Sequence, residues 1–359
     1  MRDPRLPYPV YPALPAPGRG QPPPRGRRLW VAGLAAAVFL LGLGALGYGY
    51  FLLGPTGVTA VVRIPRGAGA YQVAEVLEAA GLVRDATAFA LYARATGKAG
   101  ALRSGVYRLE GRGVPQLLED LSGRQAPLAA RLTFPEGWRA VEYAARLEAN
   151  GFDGRAYLER VRDPPAELTP EYVEGPTLEG YLFPATYTIP LDATPEEILR
   201  MMLERFEQEL TPERRARLAE LGLSVHAWVT LASIVQAEAG SVEEMPYIAG
   251  VFLNRLDAGL PLQSDPTVAY ALGKRLPELD RFAGDFEVDS PYNTYKRVGL
   301  PPGPINNPGR AALEAVLNAK RFSPAGKPYL FFFHARGELY LNEDFGGHLR
   351  DLNRYRYAP

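Results

Sequence analysis

One carboxylate, Glu238, stands where the pattern of apolar residues predicts burial. Residues 224–238 have the spacing of an amphipathic helix, and Ser224 is a suitable N-cap for it. Its apolar stripe comprises Trp228, Leu231, Ile234 and Val235. Steps of three and four residues from the end of this stripe lead to Glu238. Because burial raises the pKa of a carboxyl group, Glu238 could act as a general acid near neutral pH. The alternative is a glutamate that emerges into solvent at the helix end, since Gly240 follows closely.

The rest of the sequence offers few other catalytic groups. There is no Cys, and the three histidines, His226, His334 and His348, form no metal-binding motif. The sequence contains no phosphate-binding loop, dinucleotide fingerprint or GxSxG elbow, and no lysine lies in a recognisable pyridoxal-phosphate motif. We therefore predict that no cofactor or metal is used. Carboxylates among Tyr, Asn and Gln remain, and such residues suit sugars, which stack on aromatic rings and bond to amides.

Composition and the N-terminal segment predict a membrane-anchored protein. The 359 residues carry 40 basic and 40 acidic side chains, a balance that predicts no nucleic-acid partner. Residues 1–28 are rich in Pro, Gly and Arg and are predicted to be a disordered tail. Residues 29–53 contain no charge and would form a helix of roughly 37 Å, enough to cross a bilayer. Arginines before this span place the N-terminus in the cytoplasm and the rest outside. A cleaved signal peptide is the alternative, but the apolar run is long for one.

The remaining chain mixes helices and strands without regular βαβ alternation, which predicts an α+β fold. Helices are predicted over residues 71–80, 194–210, 245–256 and 310–319, the third with a capping box formed by Ser241 and Glu244. Strands 329–333 and 339–341 are predicted to form a hairpin. The segment from Ile64 to Gly81 shares its pattern with the segment from Phe134 to Gly151, which indicates a duplicated strand–turn–helix unit. Two copies are too few for a solenoid, so two related modules are predicted.

Several motifs stand in the order seen in one family. They are LEGYLFP (178–184), ASIVQAEA (232–239), VFLNRL (251–256), LQSDPT (262–267), YNTY (292–295) and GLPPGPI (299–305). With the N-terminal apolar segment, they resemble the endolytic murein transglycosylases, the YceG-like family, from about residue 29 to the end. Many members have Glu where this chain has Gln236, and many have Asp where it has Ala185. Gly347-His348 loosely matches a histidine near the family's C-terminus, and its role is left open.

The resemblance implies a function and a domain arrangement. It implies a disordered cytoplasmic tail (1–28), a transmembrane helix (29–53), a LysM-like module (57–128) and a larger catalytic domain (129–359). The protein would be a single-pass protein of the cytoplasmic (inner) membrane with its catalytic domain in the periplasm or outside the cell. It would act as a lytic transglycosylase on peptidoglycan and end nascent glycan strands beside the peptidoglycan synthases, the penicillin-binding proteins.

The resemblance also implies that Glu238 is the catalytic acid and base. A lytic transglycosylase can work with one carboxylate, because the C6 hydroxyl of MurNAc is the nucleophile and the product is a 1,6-anhydroMurNAc end. Eight further residues are predicted to position the substrate: Glu179, Tyr181, Asn254, Gln263, Asp265, Tyr292, Asn293 and Tyr295. For each of them the alternative is a hydrogen bond that braces the domain, most strongly for Asn254 with Arg255.

Two other functions remain open on the sequence. A hydrolytic muramidase would use Glu238 with a second carboxylate, for which Asp265 and Glu179 are the candidates. A non-catalytic cell-wall-binding scaffold would need the aromatic and amide residues but not a glutamate on an apolar helix face.

Overall fold

The computed structural model describes the backbone of residues 25–356 and the side chains of residues 29–356. Residues 1–24 of the predicted disordered tail lie outside the described residues. The last four residues of that predicted tail are helical, because α1 runs from Arg25 to Leu53. Within α1, the 25-residue apolar segment Leu29–Leu53 contains an 18-residue window with a mean hydropathy of 2.3, and none of that window is buried in the protein. Among the described residues, α1 is the one helix that is long and apolar enough to cross a bilayer by itself.

The described chain divides into two compact units. One ends at Arg103 and also includes Arg108–Gln125, and the other comprises Ser104–Tyr107 and the chain from Ala126 onward. After α1, the elements up to residue 124 are β1 (Thr59–Ile64), α2 (Ala70–Ala79), α3 (Ala86–Ala95), β2 (Gly105–Glu110) and α4 (Val114–Glu119). Strands β1 and β2 form a two-stranded sheet.

The second unit begins with the same order of elements. It contains β3 (Ala129–Thr133), α5 (Ala140–Glu148), α6 (Gly154–Arg162) and β4 (Thr186–Pro190). β3 pairs antiparallel with β4, from Ala129 opposite Pro190 to Thr133 opposite Thr186. Both copies are therefore strand–helix–helix–strand arrangements, each with its own pair of strands.

The conformation of four glycines confirms the duplication. Gly67 and Gly137 follow the first strand of each copy with φ of 69° and 74°. Gly81 and Gly151 follow the first helix with φ of 71° and 83°. An L side chain is strained at such angles, so the same turns demand glycine at the same places in both copies.

The larger part of the second unit is mainly helical. Its elements are α7 (Pro195–Glu207), α8 (Pro212–Leu221), α9 (Val225–Glu238), α10 (Met245–Asp257), α11 (Asp265–Leu272), α12 (Arg310–Leu317), β5 (Phe331–Ala335), β6 (Glu338–Asn342) and α13 (Phe345–Asp351). Strands β5 and β6 form the predicted hairpin, with Phe333 opposite Tyr340. Helices and short paired strands are interleaved along the chain, so the α+β prediction is confirmed.

Helix α9 is the centre of this unit and differs from the predicted amphipathic helix. Every residue from Trp228 to Val235 is buried, because α8, α10, α11 and α12 all pack on α9. The predicted stripe is buried, but so are the residues between its members, such as Thr230 and Ser233. The first and last turns of α9 are only half-buried, and Glu238 lies in the last one.

The predicted capping box before α10 is wrong. The residue that precedes α10 is Glu244, and no side chain caps the helix. Glu244 instead accepts a hydrogen bond from the Gly240 backbone N–H at 2.8 Å and contacts Nε2 of His334 at 3.1 Å. The residues of the predicted motif are present, but the Glu244 side chain bonds to the loop at the end of α9 and does not cap α10.

Candidate active site

Glu238 is the last residue of α9 and lines a cleft of about 700 Å³. The helix begins as predicted, with Oγ of Ser224 accepting a hydrogen bond from the Ala227 N–H at 3.1 Å. The cleft lies within the second unit, between the end of α9, one face of α10, the start of α11, strand β5 and helix α13. Its volume is in the range of sites that hold small molecules or short oligomers.

The pKa of Glu238 is shifted toward neutrality. Burial raises it to about 7, and the hydroxyl of Ser264 opposes this by donating a hydrogen bond to Oε1 at 2.6 Å. The negative charge of Asp265 raises the pKa further. Near neutral pH such a carboxyl group is populated in both protonation states, so it can donate a proton and later accept one.

A network of hydroxyl groups holds Ser264 in place. Its backbone N–H donates to Oγ1 of Thr294 at 3.0 Å, and its carbonyl accepts from Oγ1 of Thr267 at 2.7 Å. The hydroxyls of Thr267 and Thr294 lie 2.8 Å apart, and all three residues are buried. Ser264 thus has a defined position, and its bond to Oε1 leaves Oε2 of Glu238 without a partner among the described residues.

Asp265 and Tyr295 line the same cleft as Glu238. The hydroxyl of Tyr295 donates to Oδ1 of Asp265, and a guanidinium nitrogen of Arg281 lies 3.6 Å from the same oxygen. Arg281 also stacks on the ring of Phe286, with its Cζ 3.8 Å from the ring centre. The Asp265 side chain is therefore placed between a phenol that donates a hydrogen bond to it and the guanidinium of Arg281.

Gln263 is the third predicted positioning residue that lines the cleft. Its backbone φ of 57° is unusual for a residue other than glycine, and such strain is concentrated at functional sites. Arg255 donates a hydrogen bond of 2.6 Å to Oε1 of Gln263. This fixes the orientation of the amide, so its two N–H donors remain for a ligand.

Glu179 lies away from this cleft and is buried. Its Oε1 accepts hydrogen bonds from the Ala140 N–H at 2.8 Å and from Nδ2 of Asn307 at 3.0 Å. Burial raises the pKa of Glu179 to about 7, because its effect is larger than that of these hydrogen bonds, which lower the pKa. Its carboxylate braces the start of α5, so we withdraw Glu179 from the substrate-binding set and from the candidates for a second catalytic carboxylate.

Tyr181 and Tyr292 also lie outside the cleft. The Tyr181 hydroxyl is 2.7 Å from Nδ1 of His226, whose Nε2 is 2.9 Å from the Pro302 carbonyl. Since a carbonyl only accepts, Nε2 carries the proton and Nδ1 accepts from Tyr181. Tyr292 packs its ring 4.9 Å from that of Tyr270. Tyr181 is buried and makes an interior contact of the domain, whereas Tyr292 is half-buried and its contact with substrate stays a prediction.

Asn254 and Asn293 are buried, and the amide nitrogen of each donates two hydrogen bonds to carbonyls of the protein's own backbone. Nδ2 of Asn254 donates to the carbonyls of Arg321 and Tyr329, at 2.7 and 2.9 Å. Nδ2 of Asn293 donates to the carbonyls of Phe286 and Val288, both at 2.9 Å. These amides hold loops together, as the alternative for Asn254 predicted, and we withdraw both from the substrate-binding set.

Sequence reasoning missed residues of the cleft that lie far apart in the chain. Ser264 belongs to the quoted LQSDPT motif, but no local pattern shows that its hydroxyl reaches Glu238. Arg281 comes from a loop, and nothing in its local sequence indicated the cleft, whereas His348 of α13, whose role the sequence left open, also lines it. Burial, followed by the charge of Arg255, lowers the pKa of His348, and its Nδ1 is buried with no partner among the described residues.

Gln236 explains one difference from the family pattern. Its Oε1 accepts a hydrogen bond of 2.9 Å from the Gly309 N–H, at the start of α12. A glutamate oxygen can accept the same bond, so either residue can hold this loop. Glu238 is consequently the only carboxylate in α9.

Comparison with known proteins agrees with this arrangement. The model of the YceG-like family matches residues 62–354. The chain is 31% identical over 333 residues to a Bacillus subtilis (strain 168) protein named endolytic murein transglycosylase, covering 87% of this chain and 90% of that protein. It is 33% identical over 287 residues to a protein of the same name from Streptococcus pneumoniae serotype 2, covering 72% of this chain and 52% of that longer protein.

A solved structure shows the same relationship. The crystal structure of a yceG-like protein from Listeria monocytogenes is 30% identical, with a TM-score of 0.53. The similarity covers 81% of this chain and 98% of that one. The family model matches well over half of the sequence, and the chain belongs to the YceG-like family.

Proposed function

We propose that this protein is a lytic transglycosylase that cuts peptidoglycan glycan strands internally, with Glu238 as its acid and base. One observation carries the proposal: Glu238 lines a cleft in which burial brings its pKa to about 7. The relatives named endolytic murein transglycosylase support the choice of substrate.

The reaction follows from one carboxyl group. Protonated Glu238 donates its proton to the glycosidic oxygen between MurNAc and GlcNAc, the C1–O bond breaks, and GlcNAc leaves with a hydroxyl. The C6 oxygen of the same MurNAc then bonds to C1, and its proton passes to the Glu238 carboxylate. The enzyme regains its starting state, no water is consumed, and the new end is 1,6-anhydroMurNAc.

The residues around Glu238 suit this cycle. Ser264 binds Oε1 and leaves Oε2 for proton transfer. The negative charge of Asp265 in the same cleft would stabilise the positive charge that develops on the sugar ring as the C1–O bond breaks. Gln263 and Tyr295 would bond to sugar hydroxyl or acetamido groups.

The cellular setting is part of the proposal. Residues 29–53 would anchor the protein in the cytoplasmic membrane, with the N-terminus inside and the cleft outside. The first strand–helix–helix–strand copy would be a LysM-like module that binds glycan. From this position the enzyme would end nascent strands beside the peptidoglycan synthases.

Mass spectrometry of the products tests the reaction. Full-length protein in detergent is incubated with purified peptidoglycan, and the masses of the released fragments are measured. We expect fragments of several disaccharides with anhydroMurNAc ends, lighter by one water than hydrolytic products and without a reducing end. Reducing MurNAc ends would instead identify a muramidase. Asp265 would then be the second carboxylate, because it lines the cleft with Glu238.

A further inference from the structure

We propose that a second pocket beside the cleft of Glu238 binds the part of the glycan strand that adjoins the cleaved bond. This inference rests on the proposed function, because it assigns a second binding region to the same polymeric substrate. The pocket has a volume of about 470 Å³ and lies, like the cleft, within the second unit.

The pocket and the cleft are neighbours with a common wall. Ala237, Pro266 and Leu276 line both of them. Ala237 precedes Glu238 in the chain and Pro266 follows Asp265. A chain molecule bound in the cleft therefore meets the second pocket directly beside the acid and base.

The second copy of the duplicated unit forms the opposite wall. Gly137, Arg139, Val141, Glu142 and Ala145 come from the turn after β3 and the first half of α5. Gly137 has the positive φ shared with Gly67, and the turn it makes brings the start of α5 to the pocket. The second copy of the duplicated unit therefore forms part of the pocket wall, in addition to its place in the fold.

The pocket contains polar groups that the protein leaves unused. Asn306 is 3% exposed; its Nδ2 donates to the Ser233 carbonyl at 2.8 Å, whereas its Oδ1 has no partner among the described residues. A buried acceptor without a partner costs free energy, so it points to a ligand donor such as an acetamido N–H or a hydroxyl. Arg275 lines the same pocket with an exposed guanidinium that can bond to sugar oxygens or carboxylates.

The position of Asn306 is set by the helix that carries Glu238. The Ile305 N–H donates to Oγ of Ser233 at 3.0 Å, and Asn306 bonds to the carbonyl of the same serine. Ser233 is buried in α9, just over one turn before Glu238. A ligand group held at Asn306 would therefore be held in a defined relation to Glu238.

A polymeric substrate is long enough to occupy both the cleft and the second pocket. An enzyme that cuts inside a strand must bind sugars on both sides of the bond, and contacts remote from the reacting atoms can contribute to kcat/KM. The exposed apolar side chains of Val141 and Leu276 at this pocket would pack on sugar faces. The second pocket would then favour long strands over short ones.

Two variants test the pocket in different ways. Ala145→Trp fills the pocket from an exposed position of α5. Arg275→Ala removes the exposed guanidinium of Arg275, which has no side-chain partner among the described residues. Their matched controls are Ala219→Trp, on an exposed face of α8, and Arg155→Ala, on an exposed face of α6. Neither control residue lines the cleft or the pocket. Full-length proteins in detergent are assayed on a strand of two disaccharides and on a long strand, and kcat/KM is compared.

We expect both pocket variants to lower the long-to-short ratio of kcat/KM by about tenfold, the effect of losing one or two good contacts. The controls should keep the wild-type ratio. The affinity of the same variants for the long strand is measured in a Glu238→Gln background, where no cleavage interferes, and Kd should rise about tenfold. An unchanged ratio and an unchanged Kd in both pocket variants would refute the pocket. If the two substitutions weaken binding of the long strand but the wild type cleaves no strand, the pocket is supported and the proposed reaction is refuted.

Discussion

The hydroxyl of Ser264 donates a hydrogen bond of 2.6 Å to Oε1 of Glu238. Ser264 lies 26 positions further along the chain, and it is held by the hydroxyls of Thr267 and Thr294. The proposed acid and base, Glu238, is therefore held in place within the cleft. One of its two oxygens is fixed, and burial brings its pKa to about 7.

Replacement of Glu238 by Gln should abolish most of the activity without unfolding the protein. Glycan cleavage should fall about 10²- to 10⁴-fold, the usual contribution of a general acid or base. The free energy of unfolding at pH 8 should be equal or higher, because a carboxyl group with a raised pKa lowers stability as the pH rises from its unfolded pKa of 4.5, and this loss is complete above its folded pKa of about 7. Activity assays and thermal melts check both effects, with the exposed Glu243→Gln as the control. Near-normal cleavage by Glu238→Gln would exclude Glu238 from the mechanism, whereas a wild type that cleaves nothing would favour a non-catalytic scaffold.

The pH dependence of kcat/KM should report the bond between Ser264 and Glu238. The acid form of Glu238 starts the reaction, so kcat/KM should decline as the pH rises through about 7. Ser264→Ala removes a bond that lowers this pKa, so the decline should move to higher pH while the maximal rate falls. Ser264→Thr keeps a hydroxyl and should restore part of the wild-type profile. A profile that does not move in Ser264→Ala would show that another group controls the decline.

The two candidate second carboxylates should behave differently. Asp265→Asn should lower kcat strongly, by about 10²-fold or more, because Asp265 lines the cleft and its charge would stabilise the positive charge that develops on the sugar. Glu179→Gln should leave kcat close to that of the wild type and change mainly the melting temperature, since its partners are Ala140 and Asn307. Kinetics and melts of the two purified variants check this. A loss of kcat in Glu179→Gln without a loss of stability would return Glu179 to the active site.

Glu209 should be the main source of acid sensitivity in the second unit. It is 1% exposed and forms ion pairs with Arg205, Arg214 and Arg310. Burial alone would raise the pKa of Glu209, but the bonds from the three arginines outweigh it and lower the pKa to about 2. Its contribution to stability is complete above the unfolded pKa of 4.5 and is lost as the pH falls toward 2.

Glu209→Gln should therefore destabilise the protein at pH 7 by roughly 1–3 kcal/mol, because it removes the buried carboxylate charge with which three partly exposed arginines pair. Urea unfolding at pH 7 and at pH 3 measures the effect, and the difference from the wild type should shrink at the lower pH. Glu220→Gln, an exposed partner of Arg217, is the control and should change little. Equal destabilisation by both variants would contradict a special role for Glu209.

The membrane anchor should be separable from the rest of the protein. Residues 29–53 form the long uncharged segment, and none of its residues is buried in the protein. A protein that begins at Gly57 should therefore be soluble and fold without detergent. Gel filtration and circular dichroism without detergent check this. Aggregation of that fragment would indicate a further membrane-binding surface.

Much of the local structure followed from the sequence. The start of α9 at Ser224, the helix predicted from Thr194 and the β5–β6 hairpin depend on residues close together in the chain, and patterns of three, four or two residues detect such contacts. The duplication was visible for the same reason, since Gly67, Gly81, Gly137 and Gly151 satisfy turns that are local. The resemblance to the YceG-like family singled out Glu238, and periodicity placed it at the end of a buried helix.

Only the tertiary structure decided which polar residues share the cleft with Glu238. The eight predicted positioning residues look alike in sequence, because a buried brace and a substrate contact use the same amides, phenols and carboxylates. Packing places Gln263, Asp265 and Tyr295 in the cleft, and it buries Glu179, Asn254 and Asn293 against the protein's own backbone. The contact of Ser264 with Glu238 and the second pocket are formed by segments that are far apart in the chain and that pack together at α9. No local sequence pattern predicts such long-range contacts.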